Sequence, residues 1–107
     1  MRVMICDFTG QLPRARRLEL ETRLAALVGD TPAIETAEVE LERSRKAPAG
    51  WCKRVSVTLR ADHRPVVRVT EEAPTLTAAL ERALVDTARE RDELARDAAG
   101  AQTRTPH

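Results

Sequence analysis

The sequence predicts an α+β fold, a β-α-β-β-β-α chain forming a four-stranded sheet with two helices packed on one face. Four short segments alternate apolar and polar residues, as half-buried strands do. Two longer segments place their apolar residues at helical spacing. A sheet with one apolar face needs a cover, which two amphipathic helices can supply, and its other face is left for water or a partner. At 107 residues the chain has room for one such domain.

The predicted strands are the segments with period two, at residues 2–7, 34–43, 51–60 and 65–70. The second is the clearest, because Ala37, Val39 and Leu41 alternate with glutamates. Pro65 opens the fourth strand, which therefore suits an edge of the sheet. Between the second and third strands, residues 44–50 are predicted to form a mobile basic loop. The face opposite the helices is expected to carry charges of both signs, on Glu38, Glu40, Glu42, Arg54, Arg60 and Arg68.

The first predicted helix spans residues 13–28. Its apolar face carries Leu20, Leu24 and Leu27. The second helix starts after Thr75, a residue type that caps helix N-termini. Its predicted buried stripe consists of Leu76, Leu80, Ala83, Leu84, Thr87 and Leu94.

The charge total excludes a strongly basic nucleic-acid binder, because 18 basic residues nearly cancel 17 acidic ones. Any anion-binding surface must therefore come from where the charges lie. The domain is predicted to span residues 1–97, and residues 98–107 are expected to be a flexible C-terminal tail. Residues 1–8 do not resemble a signal peptide, and no apolar run approaches the ~20 residues of a membrane span. A cytoplasmic protein is expected.

No residue pattern predicts catalysis, a cofactor or a metal site. Cys6 and Cys52 are expected on strands separated by a third strand, too far apart for a disulfide, and therefore as free thiols. His63 lies in a predicted turn with no nucleophile beside it. The aromatic residues are Phe8 and Trp51, and Trp51 is predicted to cover the open end of the core. We therefore expect a binding protein and not an enzyme.

Three groups of basic residues are candidates for RNA binding, because lysine and arginine bind phosphate oxygens. The first helix carries Arg14, Arg16, Arg17 and Arg23. The predicted hairpin loop is flanked by Lys46, Lys53 and Arg54, together with Arg45. The second helix carries Arg82, Arg89 and Arg96 on one ridge, spaced by seven residues. Two of the groups have a structural alternative: the hairpin can be a solvated turn, and the ridge can be neutralised by ion pairs such as Asp86–Arg89.

Four strings carry a resemblance to a known family: LETRL at 20–24, AEVEL at 37–41, VSVTL at 55–59 and TLTAALE at 75–81. In this order and spacing they resemble the ribosome hibernation promoting factor and ribosome-associated inhibitor family, also called the sigma-54 modulation family, in its short form. The likeness covers about residues 1–96.

The resemblance implies a hibernation or stress factor that binds the small ribosomal subunit through sequence-independent phosphate contacts with 16S rRNA. Such a factor blocks translation by occupying the channel of messenger and transfer RNA, and it needs no cofactor or small-molecule substrate. The short form implies a monomer off the ribosome. Members usually carry a run of lysines on the second helix, whereas this chain mixes arginines with acidic residues there. Arg91 stands near the buried stripe, where the family places an apolar residue.

A second hypothesis is a protein-interaction module on the same fold, with no ribosome binding. The near-neutral net charge and the acidic residues of the last helix favour it. Its docking surface would be the mixed-charge face of the sheet or the charged last helix.

Overall fold

The computed structural model describes residues 2–29, 33–46 and 50–103. The elements follow the predicted order: β1 (Arg2–Asp7), α1 (Arg14–Val28), β2 (Thr36–Lys46), β3 (Gly50–Ala61), β4 (Arg64–Ala73) and α2 (Leu76–Thr103).

The four strands form one sheet in the order β1-β2-β3-β4. β1 runs parallel to β2, because α1 carries the chain back to the start of β2. The other two strand pairs are antiparallel, with Val57 opposite Val39 on one side and opposite Val69 on the other. A two-residue turn at Asp62 and His63, both with positive φ, joins β3 to β4. The predicted α+β architecture is confirmed, with a mixed sheet.

An aliphatic core lies between one face of the sheet and the two helices. The central strands supply fully enclosed residues at the positions that the alternation predicts: Ala37, Val39, Leu41, Val55, Val57 and Leu59. The helices contribute Leu20, Leu24, Val28, Ala79, Ala83, Leu84 and Thr87. On α1 the buried line ends at Val28 and leaves Leu27, which was predicted to be buried, only partly covered. The reason is that α1 packs along an i, i+4, i+8 line.

β2 and β4 continue past their predicted ends. The loop predicted at 44–50 is largely strand, because the antiparallel register continues from Ser44 opposite Cys52 to Lys46 opposite Gly50. β4 was predicted to end at residue 70 but continues to Ala73, because its last residues remain paired with β3. Residues 47–49 and the Trp51 side chain lie outside the described part, so the predicted role of Trp51 remains a prediction.

α2 is also longer than predicted, since it continues to Thr103. Residues 98–103 are rich in alanine, which favours a helix over the tail expected there. The flexible tail predicted at 98–107 therefore begins as helical backbone, and residues 104–107 lie outside the description. Over the described residues no helix combines the length and the apolar character of a membrane span.

Two arginines tie the helices together. Arg23 of α1 donates two hydrogen bonds to the Glu81 carboxylate of α2, at 2.5 and 3.1 Å. Further along, Arg91 of α2 donates to the main-chain carbonyl of Leu27, in the last turn of α1. The sequence pattern places Arg91 near the buried stripe of α2. In the structure its guanidinium donates to one of the carbonyl groups that the last turn of a helix leaves without an intrahelical partner. The two contacts show that the helices run side by side in the same direction.

Candidate nucleic-acid interface

The β2–β3 hairpin extends past the end of β1 and is basic on the side of the sheet that faces the helices. β1 ends at Asp7, opposite Leu41, whereas β2 continues beyond this point. Alternation places Arg43 and Arg45 on the same side as Leu41, and both are exposed. Lys53 of β3 lies directly opposite Arg43. Among the described residues neither member of this cross-strand pair has an acidic partner.

α1 begins at the same end of the sheet. The Leu12 N–H donates to the Asp7 carboxylate at 3.0 Å, which holds the approach to the helix against the end of β1. Arg14 and Arg16 are exposed in the first turn, without a hydrogen-bonding or ionic partner for their side chains in the described ranges. α2 also starts here, since the last residue of β4 lies opposite Lys53. The hairpin-end surface consists of five cations: Arg14, Arg16, Arg43, Arg45 and Lys53.

Local electrostatic interactions disfavour positive charge at several positions of the hairpin-end surface. Like charges directly opposite one another on neighbouring strands destabilise a sheet. The first turn of α1 contains no acidic residue, and its arginines oppose the helix dipole, whose positive end lies there. Residues 42–54 contain five basic residues and one acidic residue. Local electrostatics therefore disfavour the positions of Arg14, Arg16, Arg43 and Lys53, and an anionic partner would stabilise them.

A groove of about 290 Å³ separates the two helices at this end. Its apolar lining consists of Leu12, Pro13, Leu20, Leu76, Leu80 and Leu84. Its rim carries two positive and two negative side chains: Arg16, Arg23, Glu19 and Glu81. Because the rim is balanced, the groove adds little to the positive field, which comes from the hairpin and the first turn of α1.

Arg17 and Arg23, predicted to contact RNA, are engaged within the protein. Arg17 donates to the main-chain carbonyl of Ile5 on edge strand β1 at 2.8 Å and lies 3.8 Å from the Glu21 carboxylate. It therefore occupies an acceptor that an exposed strand edge would offer to another chain. Arg23 is held by Glu81. Both side chains stabilise the packing of α1.

Arg54 and Lys46, the other hairpin candidates, are separated from Lys53. Arg54 lies on the open face of the sheet, the face away from the helices. There it pairs with Glu72 at 3.3 Å and Glu42 at 3.8 Å, and donates to the Ser44 hydroxyl at 2.8 Å. The side chain of Lys46 lies outside the described part of the chain. Of the predicted hairpin cations with described side chains, the structure brings Arg45 and Lys53 to the hairpin-end surface and leaves Arg54 on the open face.

The predicted arginine ridge of α2 is exposed, but each of its side chains is engaged. Arg82 donates to the main-chain carbonyl of Glu72 on β4 at 3.3 Å. Arg89 lies 3.6 Å from the Asp86 carboxylate, one of the predicted neutralising pairs. Arg96 donates to the Asp92 carbonyl, one turn earlier, at 3.4 Å. The ridge is therefore a partly neutralised surface along α2, and RNA binding by its arginines remains a prediction.

The open face of the sheet carries the predicted mixture of charges. Arg60 donates to the Glu38 carboxylate at 3.1 Å, in addition to the contacts of Arg54. Along β1 this face shows Met4, which is 38% exposed, and Cys6. Cys6 and Cys52 are free thiols, as predicted, and Cys52 Sγ donates to the Glu72 carboxylate at 3.3 Å. The face is nearly neutral and offers no concentrated positive charge.

A single carboxylate organises the loop between β1 and α1. Asp7 accepts hydrogen bonds from the main-chain N–H groups of Thr9, Gly10 and Leu12, and from the Thr9 hydroxyl at 2.5 Å. Partial burial raises the pKa of Asp7, but these hydrogen bonds outweigh it, so the pKa lies below its ordinary value. Gly10 adopts φ +66°, which favours glycine. The loop leading into the hairpin-end surface is therefore fixed.

A carboxyl pair lies between β4 and α2, beside the ridge. The hydrogen bond with the Asp86 carboxyl raises the pKa of Glu71, partial burial and the Asp86 charge raise it further, and Arg82 opposes them. Within the described ranges no group of three or more His, Cys, Asp or Glu side chains could hold a metal ion. His63 is exposed in its turn.

Sequence reasoning missed Arg43 as a site residue. The signal was present in the alternation of β2, because the inward-facing series Ala37, Val39 and Leu41 is followed by an arginine. It could not be interpreted without the register, since only the pairing with β3 shows that Arg43 lies opposite Lys53.

The fold is that of a small α+β domain, with two parallel helices on one face of a mixed sheet and cations concentrated at one end. No protein-family profile and no curated protein sequence matches the chain. Among solved structures, it is similar to a ribosomal subunit interface protein from Coxiella burnetii, with TM-score 0.72 and 9% identity over 90% of this chain and 99% of that chain.

It is also similar to the N-terminal domain of Protein Y from Thermus thermophilus, with TM-score 0.63 and 24% identity over 84% of this chain and 94% of that chain. Both structures are members of the hibernation promoting factor family. The resemblance predicted from the sequence is therefore confirmed in the fold.

Proposed function

We propose that this protein associates with the ribosome and acts as a hibernation or stress factor. It binds the small subunit and blocks translation by occupying the channel of messenger and transfer RNA. The observation that carries the proposal is the hairpin-end surface, on a fold shared with a ribosomal subunit interface protein over 90% of this chain. The action is steric, so it requires no reaction and no cofactor, and it places the protein in the cytoplasm.

The proposed contacts are hydrogen bonds and ion pairs with phosphate oxygens of 16S rRNA. Arg14, Arg16 and Arg43 offer planar guanidinium groups that bind phosphate in bidentate fashion. Lys53 contributes a point charge, and the N-terminus of α1 points its free N–H groups toward the same end. These contacts recognise the RNA backbone and carry no base sequence. The phosphate contacts also offset the repulsion between Arg43 and Lys53, so RNA binding stabilises the hairpin.

Co-sedimentation with ribosomes from the host organism tests the proposal, at low and at moderate salt. The test variant is Arg43→Glu with Lys53→Glu. The matched control is Arg64→Glu with Arg68→Glu, which makes the same change in charge at the opposite end of the sheet. We expect the wild type and the control to sediment with the small subunit, less so as salt rises because phosphate contacts release counterions. The test variant stays at the top of the gradient.

A wild-type protein that stays at the top even at low salt contradicts ribosome binding. Sedimentation that is independent of salt contradicts phosphate contacts.

A protein-interaction module is the second candidate, and the open face of the sheet favours it. Met4 and Cys6 expose an apolar row along β1, next to Glu40, which has no partner for its side chain among the described residues. A partner protein that binds Met4→Lys more weakly, and remains bound after nuclease treatment, would support this function instead.

A further inference from the structure

The groove between the two helices opens beside the hairpin-end surface. Arg16 belongs to both, since it is a cation of that surface and also stands on the groove rim. The loop that leads from β1 into α1 supplies Gln11 and Leu12 to the lining. At about 290 Å³, the groove is close to the lower limit of ligand pockets, roughly 300 Å³. It therefore suits one small group of a partner that also contacts Arg16.

The floor of the groove is apolar and is not covered by the core. Leu76 and Leu80 of α2 line it and are only partly buried, although both lie on the buried stripe of that helix. Leu12, which follows the first loop, is partly buried in the same way. Covering these side chains removes apolar surface from water, which is favourable. The floor therefore favours a group with an apolar face.

The rim of the groove is neutral overall and offers free hydrogen-bonding groups. Arg23 is paired with Glu81, and the charge of Glu19 also acts on it. The Gln11 side-chain amide and the Thr77 hydroxyl line the groove and make no hydrogen bond with the described residues. An uncharged group with donors and acceptors at its edge matches such a rim, whereas two carboxylates repel a phosphate.

The groove and the hairpin-end surface differ in charge as the two parts of a nucleotide do. A nucleotide joins an anionic phosphate to a flat, uncharged base with donors and acceptors at its edge. We propose that the groove binds one unstacked base of the RNA whose phosphates contact the hairpin-end surface. This inference rests on the proposed function. It adds a preference for single-stranded RNA, because the bases of a duplex are stacked and paired, whereas those of loops and bulges can be splayed out.

Arg16 stands at the junction of the two surfaces and supports a base as the occupant. Its guanidinium can bind the phosphate of the nucleotide whose base enters the groove. An apolar side chain of a protein partner would also cover the floor. It would displace water from the Gln11 amide and the Thr77 hydroxyl, however, without replacing the lost hydrogen bonds. A base offers hydrogen bonds to both groups, and its phosphate uses the charge of Arg16.

Substitutions on the rim that close the groove test the inference. Thr77 is exposed in the first turn of α2, so Thr77→Phe places a ring over the floor without altering the core. Gln11→Phe does the same from the side of α1. The matched control is Thr22→Phe, at an exposed threonine of α1 that does not line the groove. Equal denaturation midpoints show that the fold is intact.

Binding is measured to isolated small subunits and to a protein-free single-stranded RNA of about ten nucleotides. We expect Thr77→Phe and Gln11→Phe to bind both at least about fivefold more weakly, since contact of one base with a side chain contributes that much or more. Thr22→Phe binds like the wild type. The salt dependence is the same for all four proteins, since no phosphate contact is removed. An abasic strand of the same length binds all four equally, because it has no base to place in the groove.

Each other outcome overturns a different statement. If the rim variants lose affinity for small subunits but bind the RNA like the wild type, an apolar protein side chain occupies the groove and the base is wrong. If they bind both like the wild type, the groove makes no contact and only this inference fails. A wild type that binds the RNA no better than the abasic strand also overturns it. If the wild type binds no small subunits, the proposed function fails, and the RNA measurements still decide what the groove binds.

Discussion

The two basic surfaces of this protein differ in how their charge is balanced. On α2, Arg89 faces Asp86, and Arg82 and Arg96 donate to main-chain carbonyls, so the ridge is largely satisfied within the chain. At the hairpin end, Arg43 faces Lys53 across two strands, and Arg14 and Arg16 stand at the positive end of a helix. The number of arginines is thus a poor guide to a binding surface. What distinguishes the hairpin end is that Arg14, Arg16, Arg43 and Lys53 have no acidic partner among the described residues.

The largest effect is expected on small-subunit binding. Two triple variants, each removing three positive charges, compare the hairpin-end surface with the α2 ridge. Arg14→Gln, Arg16→Gln and Arg43→Gln together are expected to weaken small-subunit binding by at least about tenfold, and to reduce the slope of log affinity against log salt by about 2, since three phosphate contacts are lost. Arg82→Gln, Arg89→Gln and Arg96→Gln together are expected to weaken binding less than about threefold. Titration at several salt concentrations measures both, and the reverse ranking would place the RNA on α2.

The next effect concerns the loop that supports the hairpin end. Asp7→Asn is expected to destabilise the protein by about 1–3 kcal/mol at neutral pH, because hydrogen bonds to a charged acceptor are weakened. The pKa of Asp7 is lowered in the folded state, so its contribution is present above the ordinary value of 3.8 and is lost as the pH falls through the folded value. Urea denaturation of both proteins at neutral and strongly acidic pH measures this, and a difference independent of pH would contradict it.

A smaller effect tests the repulsion at the hairpin. Arg43→Thr with Lys53→Thr is expected to raise the free energy of unfolding by about 0.2–1 kcal/mol, because a like-charge pair is replaced by residues that favour strands. Arg64→Thr with Arg68→Thr, at the far end of the sheet, serves as the control. We expect the hairpin variant to gain stability while it loses ribosome binding. Chemical denaturation at low salt measures the gain, and equal stability of the two variants would show that the pair is not strained.

The smallest effect lies beside the ridge. Glu71→Gln is expected to stabilise the protein by about 0.2–0.5 kcal/mol at neutral pH, since it removes one charge of the pair with Asp86. The pKa of Glu71 is raised in the folded state. Protonation therefore stabilises the wild type below the ordinary value of 4.5, and this advantage is lost as the pH rises through the folded value. The gain should shrink on acidification because the wild type becomes more stable, whereas at Asp7 the difference shrinks because the wild type loses stability; denaturation at two pH values checks the sign.

Much of the fold followed from local patterns. The alternation of Ala37, Val39 and Leu41 predicted both the strand and its buried face. The Thr75 hydroxyl accepts a hydrogen bond from the Ala78 N–H at 3.2 Å, as its predicted role as N-cap requires. Element ends were less predictable. At Ser44 and Ala73 the strands continue because a neighbouring strand supplies hydrogen-bonding partners for the backbone. The sequence of one segment does not show which strand lies beside it or where that strand ends.

The candidate site was predicted only in part. Arg14, Arg16 and Lys53 were identified from the sequence, because a basic helix start and a basic hairpin are visible as local strings. Arg17 and Arg23 belong to the same string, but they reach Ile5 and Glu81, which are distant in sequence.

The sequence by itself determined the order of the elements, the aliphatic core and the side of each strand that faces it. These properties depend on periodicity, which is a local consequence of backbone geometry. The tertiary structure decided which cationic side chains are paired with an acidic group of the protein and which are available to bind a partner. That depends on pairings between distant residues, such as Arg43 opposite Lys53 and Arg23 beside Glu81. Coulomb interactions act through space, so the chain must fold before a charge has neighbours.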